Sequence, residues 1–374
     1  MHLTLLVHTS IMRRALLTMR YDRRALLAAG DVCVLLPACK LLESAVLPPD
    51  AVVGKGGFSS VQAALDAAPT QAMRPYRILI RRGRWREKLT LDKPNIHLVG
   101  EDRAASILDF DAAAGLTAPD GRKWGTFRSP SLTIAAPDCA MRNLTVRNSF
   151  DYVSARANPQ DNPAGDGLQA VALAIMSGAD RTLIENVDAT SWQDTVLTNA
   201  GRSFFRNCRI EGAVDYIFGA GTAFFEQCVI VTRGRDGIDA QRQGYITAPS
   251  TLSDNPYGLV FDECRLEKSS GLKSHSIALG RPWHNSKQAV GQAVFLRCWM
   301  DDHIDPVGWD RMAYGRNPDG TYLWFTPEQA RFFEFASRGP GGTATSERRQ
   351  LTEQQATAFT RSNVLGGWDA RPTT

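Results

Sequence analysis

Long apolar stretches are scarce in these 374 residues, and none after Pro49 is long enough to cross a bilayer as a helix. Histidine is scarce as well. The six are scattered and none of the seven cysteines stands in a C-x-x-C pair, so no zinc or other metal cluster is readable. An excess of one charge is missing too: 43 Lys and Arg against 39 Asp and Glu leave +4 with no long basic run, which argues against a nucleic-acid partner. What is present is an ordinary globular composition, 43% hydrophobic and 22% charged, with enough apolar material for a sizeable core.

The first 48 residues differ from the rest. Arg13-Arg14 and Arg23-Arg24 are each followed by Ala-Leu-Leu, and the mostly apolar run from Ala25 ends in Leu35-Leu36-Pro37-Ala38-Cys39. A basic start, an apolar centre and a small residue before a cleavage point describe an export leader. The paired arginines suit the twin-arginine route, and Cys39 offers a lipid-attachment point of lipoprotein type. The expected organisation is a leader and linker over 1–48 and one folded domain over 49–374. The product is expected to be exported (secreted, periplasmic or anchored at the outer membrane) and monomeric.

Beyond Pro49 the chain first offers a short amphipathic helix, Phe58 to Ala68, with Ser59 and Gln62 spaced as a capping box. Strand and turn signals then continue for most of the sequence. Within them six hexads share one pattern: apolar, polar, polar, apolar, variable, apolar. They begin at Met141, Ile184, Phe205, Phe225, Phe261 and Phe295, and their fourth positions are Leu144, Val187, Cys208, Cys228, Cys264 and Cys298. The steps are 43, 21, 20, 36 and 34 residues, which read as two units, then one, one, and two single units with loop insertions. A period near 20 with short strands means a solenoid, because one coil cannot bury its own apolar face. Stacked cysteines form an interior ladder, and neighbouring rungs lie within disulfide reach, so Cys208–Cys228 is an expected bridge. Helix signals at Thr326-Pro327-Glu328-Gln329 and Thr352-Glu353-Gln354-Gln355 close the chain, and helices at both ends are expected to cover the open ends of the coil.

The densest set of unusual residues falls in the middle of this repeat. Asp194 and Asp215 are 21 residues apart, one turn of the coil, which sets them side by side on one face. Gln193 adjoins Asp194, and Gln169 lies 24 residues earlier, again about one turn. Two close carboxylates do not both ionise easily, so one keeps a proton while the other serves as nucleophile or base. Side-chain amides can stabilise an oxyanion. Arg281, in Leu279-Gly280-Arg281-Pro282-Trp283, is the natural bidentate partner for one carboxylate, and Trp283 offers a platform for a sugar ring.

These blocks, Trp192-Gln193-Asp194-Thr195, Val214-Asp215-Tyr216-Ile217-Phe218-Gly219 and Gly280-Arg281-Pro282-Trp283, resemble the pectin methylesterase family, and its bacterial branch in particular. Gly83-Arg84-Trp85-Arg86-Glu87, Gly244-Tyr245-Ile246-Thr247-Ala248-Pro249-Ser250-Thr251, Gly308-Trp309-Asp310-Arg311-Met312 and Arg348-Arg349-Gln350-Leu351 extend the resemblance from about Val53 to Trp368. The resemblance implies an all-β fold, a single-stranded right-handed parallel β-helix, acting without metal or cofactor on methyl-esterified polygalacturonate. It further implies Asp215 as nucleophile, Asp194 as acid then base, Gln193 and Gln169 at the oxyanion, Arg281 paired with Asp215, and Val214, Phe218, Trp283 and Met312 along the sugar groove. Trp85 and Tyr216 depart from the family's usual Tyr and Phe, and Thr198 stands where a Tyr is common. Three other readings stay open on the residues. One is a β-helix lyase or polygalacturonase. Another is an envelope-anchored esterase on a non-pectic ester or thioester. The third is a non-catalytic carbohydrate-binding β-helix.

Overall fold

The structure, a computed structural model, describes residues 48–235 and 241–370. The expected leader through Leu47, with Cys39, lies outside the described residues. From Ala51 onward the chain winds into coils of three short strands each. The strands stack into parallel sheets of ten, seven and eight members, each pairing with its counterpart from the coil before. All pairings in these three sheets are parallel, as a solenoid requires, because every strand re-enters its sheet after one full turn.

The hexads are the corners of this coil. In each, the third residue (Asn143, Asn186, Asn207, Gln227, Glu263, Arg297) has a left-handed backbone with φ between 52° and 55°, turning the chain from the ten-stranded into the eight-stranded sheet. The first residue points inward, and Phe205, Phe225, Phe261 and Phe295 stack with ring centroids 4.5–4.6 Å apart. That spacing is the separation of neighbouring strands, so in-register pairing and aromatic stacking reinforce one another. The 43-residue step is one coil and not two: Ile184 pairs directly with Met141, and the extra residues form a loop carrying the helix Tyr152–Ala157.

The fourth residues form the interior ladder, yet Cys208 and Cys228 are free thiols, as are Cys264 and Cys298. The expected bridge is absent because parallel, in-register rungs hold equivalent Cβ atoms about 4.8 Å apart, beyond the roughly 3.5–4.5 Å a disulfide takes. Each thiol instead faces backbone carbonyls, Cys208 at 3.4 Å from Ile184 O and Cys228 at 3.6 Å from Phe205 O.

The first helix, Val61–Ala67, covers the N-terminal end, burying Val61, Ala64 and Leu65 against the core. Its cap is Ser60, whose hydroxyl accepts from Ala63 N, one residue later than the expected Ser59. The Glu87 carboxylate takes the next two free donors, Val61 N and Gln62 N, both at 2.8 Å. The C-terminal helices Glu353–Ala356 and Arg361–Val364 do not cover the far end. They lie on a flank, where Val364 and Leu365 pack on Leu183, Phe204, Phe224, Val260 and Val294, the apolar outward face of the ten-stranded sheet. The last strand of that sheet, Arg331–Phe335, is instead bridged by Gln350, and its buried Glu334 is paired by buried Arg348 at 2.7 and 2.5 Å.

Candidate active site

The outward face of the seven-stranded sheet floors a cleft of about 240 Å³. Asp194 lies just before strand Val196–Thr198, and Asp215 lies within strand Val214–Gly219 of the next coil. Val196 pairs with Ile217 and Gln193 bridges to Val214, so the two aspartates occupy the same register position on adjacent rungs. Both have left-handed backbones, φ 64° and 49°. Such conformations cost an L-residue about 1 kcal/mol or more and collect where geometry serves function. At Asp215 the strand also slips register between Val214 and Ile217 against its neighbour. The bulge turns the carboxylate outward while Tyr216 is buried inward, its hydroxyl 2.9 Å from Thr232 Oγ1. Gly212 makes room for this: a Cβ there would stand 2.2 Å from that of Tyr216.

Arg281, following strand Ile277–Gly280 two rungs further on, donates Nε to Asp215 Oδ1 at 2.9 Å and Nη2 to Oδ2 at 2.6 Å. Its guanidinium lies 4.0 Å over the Tyr245 ring. Burial works against the arginine's charge, but the Asp215 carboxylate outweighs it and holds Arg281 firmly protonated. Asp194, 7% exposed, is in the opposite position. Burial first, and the charge of Asp215 second, push its carboxyl well above the usual range, with only partial relief from Arg281. The dyad is therefore asymmetric, with one carboxylate clamped and paired and one carboxyl holding its proton.

Gln193 and Gln169 line the same cleft, half-buried. Trp283, Phe218 and Met312 line it too, with Trp283 tilted against Phe218 at 5.9 Å between centroids. Val214 does not line it: it is 7% exposed and held in the strand by its pairings to Gln193 and Tyr245. Three lining residues were not assigned to the groove from the sequence, Thr126, Phe127 and Ala248. Phe127 stacks on Trp283 at 6.3 Å and 22°, extending one aromatic shelf. Only a lone aromatic in the turn Gly125-Thr126-Phe127-Arg128 hinted at it. A larger hollow, about 730 Å³, lies beside helix Tyr152–Ala157. It holds none of the converging groups, and its Asp151 is occupied in capping that helix.

The pectinesterase family model matches residues 50–367. The chain belongs to the pectinesterase family. Pectinesterase A of Dickeya dadantii is 41% identical over 337 residues, covering 85% of this chain and 91% of that protein. The structure of pectin methylesterase PemA from Erwinia chrysanthemi superposes with a TM-score of 0.82 at 39% identity, over 87% of this chain and 99% of that one. A pectin methylesterase in complex with a hexasaccharide gives 0.83 at 40% identity, with the same coverage. Carrot pectin methylesterase, at 25% identity, gives 0.68 over 87% of this chain and 95% of its own. The solenoid expected from the repeat and the parallel β-helix implied by the resemblance thus agree with the fold of the family to which the chain belongs.

Proposed function

We propose that this pectinesterase hydrolyses the methyl esters of polygalacturonate to free carboxylate and methanol, with Asp215 as nucleophile and Asp194 as acid and then base. The observation that carries the reading is the asymmetric dyad: a carboxylate gripped by an arginine fork one rung from a carboxyl that keeps its proton. In the first half, an Asp215 oxygen adds to the ester carbonyl carbon. Charge develops on the carbonyl oxygen, and Gln193 and Gln169, which line the cleft, would supply amide N–H donors to it. As the tetrahedral species collapses, the C–OCH3 bond breaks and Asp194 gives its proton to the departing oxygen, which leaves as methanol. Asp215 is left as an acyl anhydride. In the second half, Asp194, now ionised, takes a proton from water. The water oxygen adds to the same carbonyl, and Asp215 leaves as carboxylate, returning both groups to their starting states.

Trp283, Phe218, Phe127 and Met312 would hold the sugar rings, since aromatic faces stack on the apolar side of a pyranose while its hydroxyls stay solvated. The export leader, lipid attachment at Cys39 and a monomeric state belong to the same reading. The leader and the lipid attachment rest on the paired arginines and the Leu35-Leu36-Pro37-Ala38-Cys39 sequence. No described helix is long and apolar enough to cross a membrane. The test is methanol release from highly methylated pectin by the parent and by Asp215→Ala. The reading requires release by the first and none by a folded form of the second. A folded parent that releases no methanol from pectin would overturn it.

A further inference from the structure

A two-stranded antiparallel hairpin, Met312–Arg316 with Tyr322–Phe325, stands outside the three coil sheets. Its root is fixed: Met312 reaches the catalytic cleft, and Phe325 is buried and stacks on His284 at 4.1 Å. An isolated hairpin needs such anchoring. Its other face has no such partner. Ala313 pairs with Trp324 and Arg316 with Tyr322, which sets these side chains on the face opposite Met312 and Phe325.

That face is unusual for a surface. Among the described residues four aromatic side chains stand exposed: Phe127 in the cleft, Tyr314 at 47%, set edge-on to His284 at 4.9 Å on the anchored side of the hairpin, and Tyr322 at 49% and Trp324 at 38% on this face. Tyr322 and Trp324 adjoin at 5.6 Å, and each carries an arginine on its ring, Arg316 at 4.0 Å and Arg311 at 4.1 Å. The row is therefore arginine, tryptophan, tyrosine, arginine. Neither arginine has a carboxylate partner among the described residues. Arg316 donates to Gly320 O at 3.2 Å and to the Tyr322 hydroxyl, both neutral. Other exposed arginines over aromatic rings are neutralised by a carboxylate: Arg265 over Trp299 at 4.3 Å pairs with Glu267 at 3.0 Å, and Arg361 over Phe204 at 5.3 Å pairs with Glu226 at 3.2 Å.

We propose that this face is a second binding strip, outside the catalytic cleft, for a polyuronate chain bearing free carboxylates. Stacking on a ring leaves guanidinium N–H groups available to a carboxylate: Arg311 makes no side-chain hydrogen bond among the described residues, and Arg316 keeps N–H groups beyond the two that bind Gly320 O and the Tyr322 hydroxyl. The rings between them offer apolar faces to pyranose units. Both halves of the chemistry of a de-esterified galacturonate residue are thus matched, by charge and by shape. The strip lies near the site already described but on the opposite face of the same hairpin, Arg311 being the chain neighbour of Met312 in the cleft wall. It would hold product segments of the polymer while other segments enter the cleft. This inference rests on the polygalacturonate reading for the identity of the sugar acid.

The test is binding of the full chain to fully de-esterified polygalacturonate, which has no ester to turn over, by titration calorimetry at low and at high salt. The double variant Arg311→Gln/Arg316→Gln should bind about tenfold more weakly and lose much of the salt dependence. Arg311→Lys/Arg316→Lys, which keeps the charge but not the fork, should fall between it and the parent. Arg265→Gln should stay within about twofold of the parent, since its charge is already paired. A double Gln variant that melts like the parent and binds within about twofold of it would overturn the strip, as would an equal loss in Arg265→Gln. Methanol release, measured separately, tells this failure from failure of the esterase reading, because polygalacturonate binding requires no catalysis.

Discussion

Replacing Arg281 by Met removes the fork from Asp215 and leaves a carboxylate that is 6% exposed without its partner. Breaking a buried pair from one side costs about 3–5 kcal/mol, most of it the price of a stranded charge. Here the arginine side chain is 23% exposed, so water can enter the vacated space. The expectation is therefore the low end, about 3 kcal/mol, which in a domain of this size lowers Tm by about 4–5 °C. The rate should suffer more than the stability. A nucleophile free to rotate loses its near-attack geometry, and kcat should fall about 10²- to 10³-fold. The pH profile supplies a second reading. Arg281 holds Asp194 down against burial and the charge of Asp215. Its removal lets the Asp194 carboxyl rise further, so the alkaline limb, where that acid loses its proton, should move to higher pH. Arg281→Lys, able to reach one oxygen, should lie between. The assay is methanol release against pH at saturating pectin, beside thermal melts at low and high salt. A folded Arg281→Met with kcat within tenfold of the parent and an unmoved alkaline limb would refute the assignment of this pair as the device that orients the nucleophile.

Asp194→Asn should abolish turnover yet stabilise the fold. The native carboxyl is raised, so stability is lost as pH climbs from the ordinary aspartate value through the raised one; the variant should melt higher than the parent near pH 8 and like it at pH 3.5, read by melts at both. His303 is fully buried, and burial lowers it from 6.5 to about 4. The unfolded chain then binds the proton first, and stability should drain by up to about 3 kcal/mol as pH falls from 6.5 toward 4. In His303→Gln that drain should shrink, and an identical acid slope in parent and variant would count against it. The cysteine ladder should be silent: native protein should leave a thiol reagent unreacted until denatured, and reductant should not move Tm. A reductant-sensitive Tm would show a bridge after all.

Much of the coil was legible because a solenoid writes its architecture as a period. Six hexads with apolar first and fourth residues specify one corner repeated once per coil, and Phe205, Phe225, Phe261 and Phe295 occupy it as read. What the period could not reveal was the length of excursions between corners. Forty-three residues equal two bare coils or one coil with a lobe, and only the pairing of Ile184 with Met141 distinguishes them. Nor could the period say which way the stacked thiols faced. The conserved-looking blocks also divided in a way the sequence did not announce. Glu87 in Gly83-Arg84-Trp85-Arg86-Glu87 caps the first helix, and Arg348 is buried on Glu334, so both blocks maintain the ends of the coil. Trp309 stacks on Phe332 at 4.3 Å in the core, while Met312, three residues on, faces the cleft.

The dyad itself was legible for a reason that also assigns its roles. In a parallel coil a spacing of one period is a spacing of one rung, so two aspartates 21 residues apart must be neighbours. What the rungs then supply is direction. Arg281 arrives from the coil two strands beyond Asp215, and so lies on the far side of Asp215 from Asp194. The guanidinium can therefore fork onto one carboxylate only. The other is left with burial, a neighbouring negative charge and a distant cation, the combination that retains a proton. Reversing the order, with the arginine on the Asp194 side, would exchange nucleophile and acid with the same side chains in hand. The sequence order Asp194, Asp215, Arg281 is thus also the electrostatic order, and the division of labour proposed for the two carboxyl groups follows from the order of the rungs.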